Sequence, residues 1–137
     1  MNPSQQLLIL YTGGTIGMQM SAAGLVPASG FEARLRTEQA AQPQRLLPPW
    51  QFVELQPLLD SANMTQANWL AMRDAIVRAV EVDGCDAVLL LHGTDTLAYS
   101  AAALSFLLLG LAVPVILTGA MLPAGVAGTD AWINLFG

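Results

Sequence analysis

The segment Leu7–Gly17 constrains the fold of this chain more than any other: the apolar run Leu7–Tyr11 passes straight into Thr12-Gly13-Gly14-Thr15-Ile16-Gly17. An aliphatic run this short is too brief for a stable helix and reads as a strand buried on both faces. Paired glycines directly after it allow a positive φ and let another group approach with no Cβ in the way. In an open α/β sheet, ligands sit outside the carboxyl ends of the strands, where this turn falls. On spacing alone two readings stay open. Gly13-Gly14 only turns the chain while Thr12 and Thr15 cap a helix, or the turn is a ligand site carrying two hydroxyls.

The same figure recurs down the chain. Gln51–Leu55 alternates as a strand, with Phe52 and Val53 at its centre, and is followed by the polar turn Asp60-Ser61-Ala62-Asn63. Asn63 or Thr65 caps a helix running to about Val82, whose apolar residues Trp69, Met72, Ile76, Val77 and Val80 keep helical spacing; Asp83-Gly84 ends it. Ala87–Leu91 is a second continuous aliphatic strand, breaking into His92-Gly93-Thr94-Asp95-Thr96 before a helix over Leu97–Leu109. Val113–Leu117 is the fourth strand and ends in Thr118-Gly119-Ala120-Met121, with a last helix starting near Thr129 or Asp130. Between the first two strands, Met18–Ser29 reads as an unstructured loop of the kind that forms lids. Phe31–Gln42 is a helix whose apolar side is only Phe31 and Leu35, and Gln42–Pro49 is a Pro-rich connection. Strands alternating with helices predict an α/β fold, a mostly parallel sheet with helices on both faces and right-handed crossovers. Thr12, Thr15, Asp60, Ser61, Thr94, Asp95 and Thr118 then share one rim.

Composition bounds the function classes. With 137 residues, 54% of them apolar and 11% charged, the chain has the length and material for one packed domain, which excludes disorder. It has no lysine, its five cations are arginines, and its net charge is −5, a balance that argues against nucleic acid as a partner. The lone Cys85 has neither a disulfide partner nor a ligand cluster and reads as a small buried hydrophobe. Thr96–Thr129 contains no charged residue, enough by count to span a bilayer, yet Gly110 and Pro114 interrupt it. It reads as a helix and a strand, so no membrane partner is expected. The N-terminal Met-Asn-Pro-Ser-Gln-Gln lacks the charge and cleavage site of a signal peptide, which points to a cytoplasmic location.

A threonine hydroxyl becomes a nucleophile only when a base or a low-dielectric network takes its proton. Two threonines from two strand ends, with the Asp95 carboxylate beside one, suit attack on a carbonyl, and backbone N–H groups at the helix start after Thr94 suit the oxyanion. Asp95 suits equally an anchor for a positive group on the substrate. The bland alternative is that Thr94 or Asp95 caps the helix that follows. His92, the only histidine, ends a buried strand and reads as structural, bonded to nearby backbone, rather than as a general base. Metal-ligand spacing and phosphate-cradling motifs are missing.

Tyr-Thr-Gly-Gly-Thr-Ile-Gly at 11–17 and Leu-His-Gly-Thr-Asp-Thr at 91–96 resemble the two signature motifs of bacterial-type L-asparaginases, most closely the cytoplasmic, type I members. Asp-Ser-Ala-Asn-Met at 60–64, Val-Ile-Leu-Thr-Gly-Ala-Met at 115–121, Asp130 and Asn134-Leu135 look like further segments in the same order. The resemblance implies a flavodoxin-like three-layer N-terminal domain and hydrolysis of L-asparagine to L-aspartate and ammonia, with no cofactor or metal. It implies Thr15 as nucleophile, Thr94 as part of a second catalytic group with Asp95 and a lysine, Asp95 also on the substrate's α-ammonium, and Ser61, with Asp60 alongside, on its α-carboxylate. A homo-oligomer, dimer or tetramer, is implied too.

Two departures stand out. The lid tyrosine of the family's Gly-Tyr-x-Pro is Leu25 here, in Gly24-Leu25-Val26-Pro27, leaving Tyr11 or another lid residue to partner Thr15. The family's lysine and smaller C-terminal domain lie beyond residue 137, so residues 1–137 read as an N-terminal domain, truncated inside a helix. Alternatives are a related amidase acting on glutamine or a tRNA-linked amide, and an amino-acid-binding module that kept the fold and lost catalysis.

Overall fold

The computed structural model describes residues 5–137; Met1 to Ser4, on which the expected location partly rests, lie outside the described residues. In chain order the elements are β1 (Leu7–Gly13), β2 (Gln19–Ser21), β3 (Gly24–Val26), α1 (Phe31–Ala41), β4 (Trp50–Leu59), α2 (Gln66–Glu81), β5 (Ala87–Leu91), α3 (Leu97–Leu107), β6 (Val115–Thr118) and α4 (Ala131–Phe136). Single tight helical turns at Thr15–Gly17 and Ser61–Asn63 follow β1 and β4.

Every residue of β1 is buried because both of its edges and both of its faces are covered. It pairs in parallel with β4 on one side and β5 on the other, Leu8 lying level with Gln51 and Val88, and β6 extends the sheet beyond β5. The order β4-β1-β5-β6 puts the first strand between the second and the third, the flavodoxin-like arrangement, with its switch point between β1 and β5. The strand's alternation divides its aliphatics between two layers. Leu7, Ile9 and Tyr11 pack with Phe31 and Leu35 of α1 and with Ala131 and Leu135 of α4. Leu8 and Leu10 pack with Met72, Ile76 and Ala79 of α2 and Leu104 of α3. The three-layer parallel fold expected from the sequence is therefore present, and Cys85 is buried in the second layer.

Several boundaries differ from expectation, among them the end of β1, which continues past Tyr11 to Gly13. Residues 18–29 are not a structureless loop: β2 and β3 form an antiparallel hairpin, Met20 opposite Leu25, closed where the Ser21 hydroxyl donates to the Gly24 carbonyl (2.8 Å) and accepts from the Ala23 N–H (3.1 Å). β4 continues past Leu55 through Pro57 to Leu59, which is tolerated because β4 is an edge strand and its register with β1 jumps from Tyr11–Glu54 to Gly13–Leu59, leaving Pro57 in the unpaired stretch between. α3 stops at Leu107, ahead of Gly110 with its positive φ of 90°. β6 starts at Val115, since pairing with β5 begins where the Pro114 carbonyl accepts from Val88 (2.9 Å). Thr65, not Asn63, caps α2, its N–H and hydroxyl both meeting Asn68 Oδ1 at 2.8 Å. Among the described residues no helix is long and apolar enough to cross a membrane.

Candidate active site

The rim at the carboxyl ends of β1, β5 and β4 is built by backbone contact between turns. At Gly14 the chain leaves β1 with φ +82°, and a Cβ there would lie 2.5 Å from both the Cα and the N of Gly93. A Cβ on Gly93 would in turn lie 2.6 Å from the Ser61 Cβ. The turns after β1 and β5 therefore touch backbone to backbone, and Gly93 packs directly on the Ser61 side chain of the turn after β4, approaches only glycine permits. Gly119, after β6, sits equally close beneath the His92 carbonyl.

Thr15 opens the tight turn after β1 and is half-buried. Its turn is held from the α1 side of the sheet: the Ile16 side chain is fully buried, the Ile16 carbonyl accepts from the Ala124 N–H (3.0 Å), and the Gly17 carbonyl accepts from Arg34 Nη2 (2.9 Å). Thr12 does not join it. Its side chain is buried and donates to the Leu91 carbonyl (2.8 Å), tying the ends of β1 and β5 together.

Thr94 and Asp95 are exposed just ahead of α3, whose N-cap is Thr96, so neither is the cap that the bland reading made of them. Thr96 crosses to the neighbouring turn, its hydroxyl donating to the Ser61 carbonyl (2.9 Å). Asp60 is exposed and its Oδ1 accepts from the Ala62 N–H (3.1 Å), whereas Ser61 is buried against Gly93 at 3% exposure. The structure thus brings Thr15, Thr94, Asp95, Asp60 and Ser61 to adjoining turns of one rim.

Two groups that looked ambiguous in the sequence are tied into the frame. Tyr11 is fully buried, stacks on Phe31 at 5.2 Å between ring centroids and donates its hydroxyl to the Ala28 carbonyl (3.2 Å). Burial pushes its pKa up to about 12, with Arg34 opposing and Glu54 adding, and its hydroxyl is engaged with the Ala28 carbonyl at the root of the hairpin. Leu25 is 44% exposed on the hairpin beside Met20 at 77%, an apolar pair where the family pattern has a hydroxyl. His92 is fully buried and bonded to its neighbours, as its place at a strand end predicts. In the sequence Asp130 reads only as a helix start and as part of a family-like segment. It accepts from the Met121 (2.9 Å) and Leu122 (3.0 Å) N–H groups, which fix the turn after β6 and hold its carboxyl below the usual range. An aspartate ahead of a helix and a few residues after a glycine turn carries no sequence signal for that role.

An open parallel sheet in flavodoxin-like order, with its polar side chains gathered at the β1/β5 switch point, defines a class of α/β domains that bind and process small molecules at the strand ends. This chain belongs to the asparaginase family: residues 6–137 match it over the part described as "Asparaginase, N-terminal". L-asparaginase 1 of Escherichia coli (strain K12) is 40% identical over 134 residues, which cover 96% of this chain and 38% of that protein. The 60 kDa lysophospholipase of Mus musculus is 39% identical over 158 residues, covering 100% of this chain and 28% of that one. The crystal structure of L-asparaginase I from Vibrio cholerae superposes with a TM-score of 0.82 at 37% identity, over 96% of this chain and 39% of that chain. The chain spans less than two-fifths of the length of these relatives.

Proposed function

We propose that this chain is the N-terminal domain of an amidohydrolase that converts L-asparagine to L-aspartate and ammonia. The observation that carries the reading is the backbone contact of Gly14 with Gly93, which sets the Thr15 turn against the Thr94–Asp95 turn at the switch point. Thr15 Oγ attacks the side-chain amide carbon, its proton passes to the departing nitrogen, and ammonia leaves as the C–N bond breaks. Water then adds to the acyl carbon and returns a proton to Thr15 Oγ. Thr94 and Asp95 serve that second step together with a lysine carried by sequence beyond residue 137. Asp95 holds the substrate's α-ammonium, and Ser61 with Asp60 holds its α-carboxylate. Support for the substrate comes from the name of the Escherichia coli relative.

The same reading includes a cytoplasmic, self-associating protein. Tyr99, Phe106 and Leu109 leave an apolar outer face along and just past α3, a surface that favours association. A compact monomer at high concentration in size-exclusion chromatography would contradict that part.

The test is ammonia release from L-asparagine and L-glutamine by the full-length gene product and its Thr15→Ala variant. Loss of at least about a thousandfold in kcat is expected for the variant, as for other members of a nucleophilic unit. Unchanged turnover in Thr15→Ala removes the nucleophile from the reading. An inactive parent protein that still binds L-aspartate makes the domain a binding module, with Leu25 the feature that accounts for the loss. Residues 1–137 alone are expected to turn over little or no asparagine, because the proposed lysine is missing from them.

A further inference from the structure

His92 is a buried titratable side chain beside the rim that the proposed chemistry leaves unused. Its Nδ1 lies 2.6 Å from the Gly93 carbonyl oxygen and its Nε2 2.7 Å from Ser100 Oγ. Ser100 Oγ also lies 2.8 Å from Trp69 Nε1. The protons in this chain are fixed from both ends. A carbonyl oxygen only accepts, so Nδ1 carries the proton. An indole N–H only donates, so Ser100 accepts from Trp69 and turns its own proton towards Nε2. The imidazole is therefore the neutral Nδ1–H tautomer, and burial favours that neutral form.

The Gly93 carbonyl shares a rigid peptide plane with the Thr94 N–H, and in a trans peptide the two point in opposite directions. Holding the oxygen on the buried imidazole turns the Thr94 N–H away from it and fixes the backbone that carries Thr94. Ser100 from α3 and Trp69 from α2 stop the ring from swinging. Gly93 is also the residue against which Gly14 and Ser61 pack, so its peptide is the pivot of all three turns.

We propose that His92 is a positioning residue: its Nδ1–H sets the Gly93–Thr94 peptide, and with it the Thr94 backbone donor and side chain, in the orientation the acyl-transfer chemistry uses. This rests on the reading of the Thr94–Asp95 turn as catalytic. Its test separates the clamp from that reading.

The two halves of the ring can be replaced separately. Asparagine places an amide N–H near the Nδ1 position and keeps the donor to Gly93; glutamine reaches towards Ser100 and leaves the Gly93 carbonyl unheld. In the full-length product, His92→Gln is expected to lower kcat by at least about tenfold, short of the hundredfold or more of losing an oxyanion donor outright, with KM changed less than about threefold. His92→Asn is expected to recover most of that kcat. Ser100→Ala, the milder change if either ring variant folds poorly, is expected to lose kcat in the same direction. Nitrogen-15 spectra of the ring, identified by the signal that His92→Gln removes, are expected to show the Nδ1–H tautomer with a slowly exchanging proton. The Thr94 amide signal is expected to move in His92→Gln and stay near its parent position in His92→Asn.

An Nε2–H tautomer, equal kcat loss in both ring variants, or a KM effect with kcat intact would each overturn the proposal. If the parent shows no turnover, the catalytic reading fails, while the ring spectra and the Thr94 amide still decide whether His92 holds the peptide.

Discussion

At Gly14 a methyl group would meet two obstacles. The backbone sits at φ +82°, which costs an L-residue about 1–2 kcal/mol, and the new Cβ would lie 2.5 Å from the backbone of Gly93, which cannot swing aside. Gly24 offers the control, since its φ is +97° but a Cβ there meets nothing within 4 Å. Gly24→Ala is therefore expected to lower stability by about 1 kcal/mol, and Gly14→Ala by about 3 kcal/mol or more, with the Thr15 and Thr94 turns pushed apart. Urea midpoints of the two variants measure the difference, and equal shifts would refute the tight packing of the turns. The sequence marks Gly13-Gly14 as a turn at a strand end, but contact between two glycines separated by most of the domain has no local signature. Thr12 is the complementary case. With the strand ended at Tyr11 it reads as a rim hydroxyl; because β1 in fact continues to Gly13, Thr12 keeps the inward phase of Leu8 and Leu10 and points its hydroxyl at Leu91.

Among the elements, the β2–β3 hairpin is the one whose form was hidden. Its strands are three residues each, too short and polar to show alternation, and the Ser21 bonds that close it are read only once the turn exists. Other elements were legible because their patterns are unbroken: the continuous aliphatics of β1 and β5, and the helical spacing over α2. The hairpin's roots are stapled to the core, one by Arg34 on the Gly17 carbonyl and the other by Tyr11 on the Ala28 carbonyl. Tyr11→Phe keeps the ring stacked on Phe31 and removes only the second staple. It is expected to cost about 1 kcal/mol globally and to speed amide exchange across Gly24–Val26, while the core amides of β5 keep their relative order of protection. Unchanged exchange in the hairpin would mean that Tyr11 does not hold it.

For the whole molecule, the shifted groups bracket a pH window of maximum stability. His92 is held below its ordinary 6.5 chiefly by burial, so as pH falls beneath 6.5 the unfolded chain takes up a proton that the folded imidazole refuses. The unfolded state then binds more protons, and stability declines towards acid with a slope of at most about 1.4 kcal/mol per pH unit. On the alkaline side, burial with nearby Asp83 and Asp86 raises the Cys85 thiol above 9.0, and burial carries Tyr11 from 10.0 to about 12. There the unfolded chain loses protons first, so stability is full below 9.0 and is lost as pH rises towards about 12. Asp130 acts only below its ordinary 3.8: its depressed carboxyl favours the fold above that value and loses its effect as acid protonates it. Urea midpoints are therefore expected to be flat between 6.5 and 9.0 and to fall on both flanks. The flanks are separable. Because His92 is the only histidine in this chain, His92→Asn in residues 1–137 should abolish the slope just below 6.5, whereas Tyr11→Phe should flatten only the part above 10.0. A parent chain with level stability from pH 6.5 down to about 5 would show that the imidazole protonates without cost, contradicting its enclosure between Gly93 and Ser100.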